Sequence, residues 1–191
     1  MKSFFSILLF SFIIFSCRNT TSSNEAVKTS DTTNFYPFIE YLNQQIQDVN
    51  NTPYFIYKIS IKDGKKDSTV ITPPTFDSLA HLFVKHDITQ PPLKKFYTEN
   101  IFEDASTDSY TITYTSSNPK TDIQNVDILL GREDQQVKWI FMNKIEMKDS
   151  SMIALKMGWR PDRRFYINKI STDSTGKEHE EQNTIVWNDK E

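Results

Sequence analysis

The chain predicts an α+β domain: one curved antiparallel sheet of seven to eight strands, mostly a meander, with an N-terminal helix and an inserted helical pair packed on one face. Three observations carry this expectation. Apolar residues recur at helical spacing between Asn34 and Asn50. From Asp108 onward the apolar period is two. No strand–helix–strand alternation appears, so nothing feeds a parallel sheet. The 191 residues suit one domain. Only 37% of them are hydrophobic but 13% are aromatic, and aromatics bury the most area per residue, so a core is available.

Each element has a local reason. Phe35, Ile39, Leu42, Ile46 and Val49 form one helical stripe, Pro37 fits the first turn, and Asn50-Asn51-Thr52-Pro53 stops the helix. Phe55, Tyr57, Ile59 and Ile61 then alternate as a strand, Asp63-Gly64 makes a hairpin turn, and Lys66 to Thr72 returns. Thr75 is placed to cap a helix carrying Phe76, Leu79, Ala80, Phe83 and Val84 on one face. Pro91-Pro92 ends it and opens a weaker helical or irregular stretch through Phe96 and Phe102. Six strands follow, carrying Tyr110–Tyr114, Val126–Leu130, Val137–Ile145, Ile153–Trp159, Phe165–Ile167 and Ile185–Trp187. Such a layout is shared by open half-barrels that hold lipid or other apolar ligands, an architectural likeness that implies no function.

Charge and motifs narrow the function classes. Lys and Arg number 22 against 25 Asp and Glu, a net charge of −3 with no basic block, which argues against a nucleic-acid partner. Four glycines leave no phosphate-cradling loop and no Gly-x-Ser-x-Gly elbow. No cofactor is called for. The balance of motifs favours a non-enzymatic protein.

The amino terminus is more specific. Met1-Lys2-Ser3 precedes an apolar run from Phe4 to Phe15, too short for the roughly 20 residues of a spanning helix and typical of an export signal. Ile14-Phe15-Ser16-Cys17 resembles the lipobox of bacterial lipoproteins. The resemblance implies a signal peptide over residues 1–16, cleavage before Cys17, and acyl chains on Cys17 that anchor the protein in a membrane. Cys17 is the only cysteine, so it has no internal disulfide to make. Residues 17–33 form a polar tether, averaging ~20 Å if disordered, and residues 34–191 the single α+β domain. In that family an Asp after the Cys retains the protein in the inner membrane. Arg18 stands there instead, which points to the outer membrane, facing the periplasm.

Candidate binding residues fall in two groups. Gly158-Trp159-Arg160-Pro161-Asp162-Arg163-Arg164 reads as a hairpin tip. Arg160, Arg163 and Arg164 offer forks for phosphate or carboxylate, and Trp159 suits an interface. Tyr57, Tyr110, Tyr114, Trp139 and Phe141 form an aromatic set that would line an apolar cavity or fill the core. The expected function is a non-enzymatic, membrane-anchored envelope lipoprotein binding a protein partner or an apolar ligand. The rival is a periplasmic hydrolase or metal-dependent enzyme built on Asp77, His81 and His86, of which the first two share a helix face. A charged row opposite an apolar stripe is more often a solvated surface.

The anchor is directly testable. Cys17→Ser removes the only thiol, so labelled fatty acid should enter the wild-type protein and not the variant. The variant should also fractionate as soluble protein or uncut precursor.

Overall fold

The computed structural model describes residues 34–148, 151–173 and 175–189. Cys17, the signal and the tether lie outside them. Nine strands form one open antiparallel sheet, with three helices. In chain order the elements are α1 (Phe38–Asn51), β1 (Tyr57–Lys62), β2 (Lys65–Val70), α2 (Pro73–Ala80), α3 (Pro91–Lys94), β3 (Tyr97–Asp104), β4 (Ser109–Ser116), β5 (Ile123–Gly131), β6 (Val137–Lys148), β7 (Ser151–Arg160), β8 (Arg164–Thr172) and β9 (Glu178–Val186).

The spatial order is β2-β1-β9-β8-β7-β6-β5-β4-β3. Strands β3 to β9 are an unbroken meander, and the β1–β2 hairpin joins it through β1 on β9. Asp63 and Gly64 both take positive φ (50° and 74°) in that hairpin's turn, the backbone a two-residue connection of matching twist needs. Because β2 and β3 sit on opposite edges, the chain between them must cross the whole sheet. Eight inter-strand gaps of about 4.8 Å make this ~38 Å. Segment 71–96, with α2 and α3, makes that crossing over one face.

Helix α1 lies on the same face. Phe38, Ile39, Leu42, Ile46 and Val49 are its buried residues, as the stripe predicts. Pro37 precedes the first turn and contributes no side-chain cap. At its entrance the Tyr36 N–H donates to the Tyr114 hydroxyl (2.8 Å), and Phe35 packs on the Tyr114 ring (4.4 Å). At its exit Asn50 donates to Asp77 of α2 (3.0 Å).

Core packing follows from register. Ile185, Phe165, Trp159, Ile140, Ile128, Ile112 and Ile101 are successive cross-strand partners on the helix-covered face. Over this row the helical segment lowers Phe76 and Phe83. Phe83 meets Trp159 edge-on (5.3 Å) and Phe165 (5.4 Å), while Phe76 meets Trp187 (5.6 Å) and Phe165 (5.8 Å). Trp159 stacks on Phe165 at 5.0 Å. All five rings are buried.

Two expectations need correction. The strand count is nine rather than seven to eight, because residues 97–104, expected as helical or irregular, form β3. Glu99 and Glu103 interrupt the alternation on that strand's helix-side face, and the pairing of Ile101 with Ile112 decides its conformation. Second, α2 stops at Ala80, and it begins at Thr72-Pro73 rather than Thr75. Phe83 reaches the core from the following turns instead of from the helix.

Removing one ring from the cluster should be costly. Phe165→Ala is expected to lose about 3–5 kcal/mol, the range for truncating a buried Phe, and urea unfolding against wild type measures it.

Candidate functional site

The face opposite the helices carries no covering element among the described residues. Its side chains are half-exposed and alternate with the core row. Tyr57, Arg164, Arg160, Trp139 and Leu129 lie along it on β1, β8, β7, β6 and β5, by the register of their strands. Trp139 stacks on Phe141 (5.2 Å, 11° between planes), and Tyr166 packs at 6.3 Å from Trp139. Gly158 makes this platform possible. A Cβ there would fall 2.4 Å from the Tyr166 ring, so only glycine lets the phenol lie across β7.

Beside the platform is the 161–163 turn joining β7 to β8. The Arg160 guanidinium lies 5.9 Å over the Trp139 ring, a cation–π placement. None of Arg160, Arg163 and Arg164 has an ion-pair partner among the described residues. The turn is held from the other side of the sheet by Gln45 of α1, whose amide donates to the Asp162 carboxylate (3.1 Å) and accepts the Asp162 N–H (2.9 Å). Asp162 has φ 58°, a strained value that this two-point clamp fixes. Nearby, burial first and the Asp162 charge second push the Tyr41 phenol up to about 12, so it remains neutral. A groove of about 430 Å³ opens at this end, with Leu129, Lys138, Trp139, Arg160, Pro161 and Asp162 among its walls.

The structure divides the sequence candidates. Arg160, Arg163 and Arg164 gather at the turn as expected, but Trp159 faces inward and is fully buried. A molecule at the outer face meets the arginines without it. The aromatic set also splits by strand parity: Tyr57, Trp139 and Phe141 are on the outer face, Tyr110 and Tyr114 on the helix side. The Tyr114 hydroxyl is bound between the Tyr36 N–H and Glu99 (2.8 Å each), so it holds the chain's entry. Tyr166 was not singled out from sequence, and Gly158 was named only as the first residue of the hairpin segment. The small residue facing an aromatic across two strands becomes a signal only once the register is known.

The rival site does not converge. His81 Nδ1 lies 3.3 Å from Asp77 on the exposed α2 surface, while His86 pairs with Asp122 at 3.2 Å. Among the described residues no three His, Cys, Asp or Glu side chains are grouped to hold a metal ion. His86 instead belongs to a charged cluster at the opposite end of the sheet from the arginine turn. There Lys144, 1% exposed, has its Nζ 2.5 Å from Glu146. That hydrogen bond holds the Glu146 carboxyl below the usual range.

Comparison with protein-family models, curated proteins and solved structures returned no match.

Burial, and after it the Lys144 ammonium, lower the His86 imidazole against the opposing pull of Asp122. The folded chain therefore takes a proton at His86 less readily than the unfolded chain. The stability from this group is full above the ordinary value of about 6.5 and is lost as pH falls through the lowered folded value. His86→Asn should flatten the pH dependence of urea unfolding in that window, with wild type losing stability there as pH drops.

Proposed function

We propose that this protein is a non-enzymatic, lipid-anchored component of the cell envelope that binds an apolar ligand bearing an anionic end. The observation that carries the reading is that Arg160 and Arg164 share a face with the half-exposed Trp139–Phe141–Tyr166 platform, with Arg163 in the adjoining turn, and that none of the three guanidiniums has a carboxylate partner among the described residues. Aromatic faces supply apolar contact area, and arginine forks fit a carboxylate, phosphate or sulfonate. Anchoring by Cys17, at the outer membrane facing the periplasm, brings such a surface within a tether's length of lipids and their precursors. Rigidity supports the reading as well, since the platform lies on central strands and the turn is clamped by Gln45.

The test uses dodecanoate and the fluorescent probe anilinonaphthalene sulfonate, both apolar anions. Wild type should bind each, and binding should weaken with salt because exposed charges are screened beyond roughly 8–10 Å. The triple variant Arg160→Gln, Arg163→Gln, Arg164→Gln should melt close to wild type, as surface changes stay within about 0.5 kcal/mol each, yet lose the salt-sensitive part of binding. Trp139→Ala should lose the salt-insensitive part. A triple variant that binds both probes like wild type overturns the proposal.

A further inference from the structure

The two edges of the sheet differ. At one edge β2 reads Lys65-Lys66-Asp67-Ser68-Thr69-Val70, short and headed by two lysines, the usual protection against stray pairing. At the other edge β3 reads Tyr97-Thr98-Glu99-Asn100-Ile101-Phe102-Glu103-Asp104. It has no lysine and no proline, and its register with β4 runs without a bulge from Tyr97 to Asp104. Its outer backbone side has no strand partner among the described residues. Ile101 and Phe102 are 43% and 47% exposed on its two faces. Every second residue of these eight turns its N–H and C=O away from β4, and those groups have no strand partner among the described residues.

The side chains say what fits. Glu99, Ile101 and Glu103 share the helix-side face, since their partners on β4 are Tyr114, Ile112 and Tyr110. Among the described residues each acid keeps one carboxylate oxygen uncommitted: Glu99 receives the Tyr114 hydroxyl on Oε2, and Glu103 meets Arg132 through Oε1 at 2.7 Å. A strand added at this edge therefore faces acid, aliphatic, acid on alternate positions. The geometry points to β3 as a strand-addition site for an extended segment of a partner protein, with lysine or arginine at positions i and i+4 and an apolar residue at i+2. The pattern is symmetric about Ile101, so parallel and antiparallel additions both satisfy it. Main-chain hydrogen bonds give the affinity and the alternate side chains the selectivity.

Copies of this chain fit less well. Pairing β3 with itself about Ile101 sets Glu99 opposite Glu103, and like charges directly opposite are destabilising. Strand β2 of another copy offers Lys65 and Lys66 at adjacent positions, hence on opposite faces, and cannot meet both acids.

The probe is the labelled peptide Thr-Lys-Thr-Ile-Thr-Lys-Thr, titrated into the full-length protein in detergent, with a control peptide carrying Glu in place of both lysines. Wild type should bind the basic peptide at least about tenfold more tightly than the acidic one, and β3 amides should exchange more slowly when it is present. Glu103→Lys, a charge reversal at an exposed position, should weaken binding by about the same factor. Ile101→Lys, at a position 43% exposed, serves as a second variant if the first fails to fold. Three results overturn the proposal: equal binding of the two peptides, wild-type affinity in a folded edge variant, or β3 amides already protected before peptide is added. The last would assign the edge to a second copy or to another segment of this chain.

Discussion

The structure depends on five aromatic rings. Phe76 and Phe83 descend from the crossing segment onto Trp159, Phe165 and Trp187, with neighbouring centroids 5.0–6.1 Å apart. Helix α1 is held on the sheet by its own buried stripe, whereas the crossing segment reaches the core through Phe76, Ala80, Phe83 and Ile88, of which the two rings are the largest. Edge-to-face and offset contacts add about 0.5–1.5 kcal/mol per pair beyond the area buried. Among the described residues the cluster carries one uncompensated group, the buried Trp159 Nε1, which has no hydrogen-bond partner there. Leaving such a donor unpaired costs about 1–3 kcal/mol, which the surrounding rings offset.

Topology explains why the cluster sits where it does. The β1–β2 hairpin precedes the meander in sequence but attaches to its last strand, so β2 and β3 end on opposite edges. The connection must span the sheet, and its apolar side chains cover the middle strands on the way. Helix α1 crosses the same face from Tyr114 on β4 toward β1. Both crossings use one face, and among the described residues nothing covers the other. The polar contact of α1 with the far side, through Gln45 and Asp162, fixes the arginine turn relative to the core.

Electrostatics separates the two ends of the molecule. At the arginine turn the cations lack carboxylate partners among the described residues and stand beside half-exposed rings. At the other end the charges are paired: Lys144 with Glu146, His86 with Asp122, and His179 with Asp173 at 3.0 Å. Hydrogen bonds from Thr175 and then His179 hold the Asp173 carboxyl far below its usual range, which marks a closed turn network rather than a receptive site. Unpartnered charge beside exposed apolar surface is the arrangement a ligand can complete.

Much of this was legible in the amino-acid order. Helical spacing gave α1, alternation gave the meander, Asp63-Gly64 gave the first hairpin, and Pro161-Asp162 gave the turn that gathers the arginines. These are local signals, set by backbone propensities and by which side of one element is apolar. The reading of Cys17 as an acylation site is also sequence-only, resting on residues outside the described ones. Tertiary structure alone decided the rest. Whether Tyr57, Tyr110, Tyr114 and Trp139 share a face depends on register between strands distant in the chain, which no single segment encodes. Strand β3 exists because β4 offers it a partner, against its own interrupted pattern. Trp159 is core because the crossing segment covers it, and His86 left Asp77 and His81 because α2 ends at Ala80. Local physics sets the elements, and pairing across the sheet determines which side chains meet.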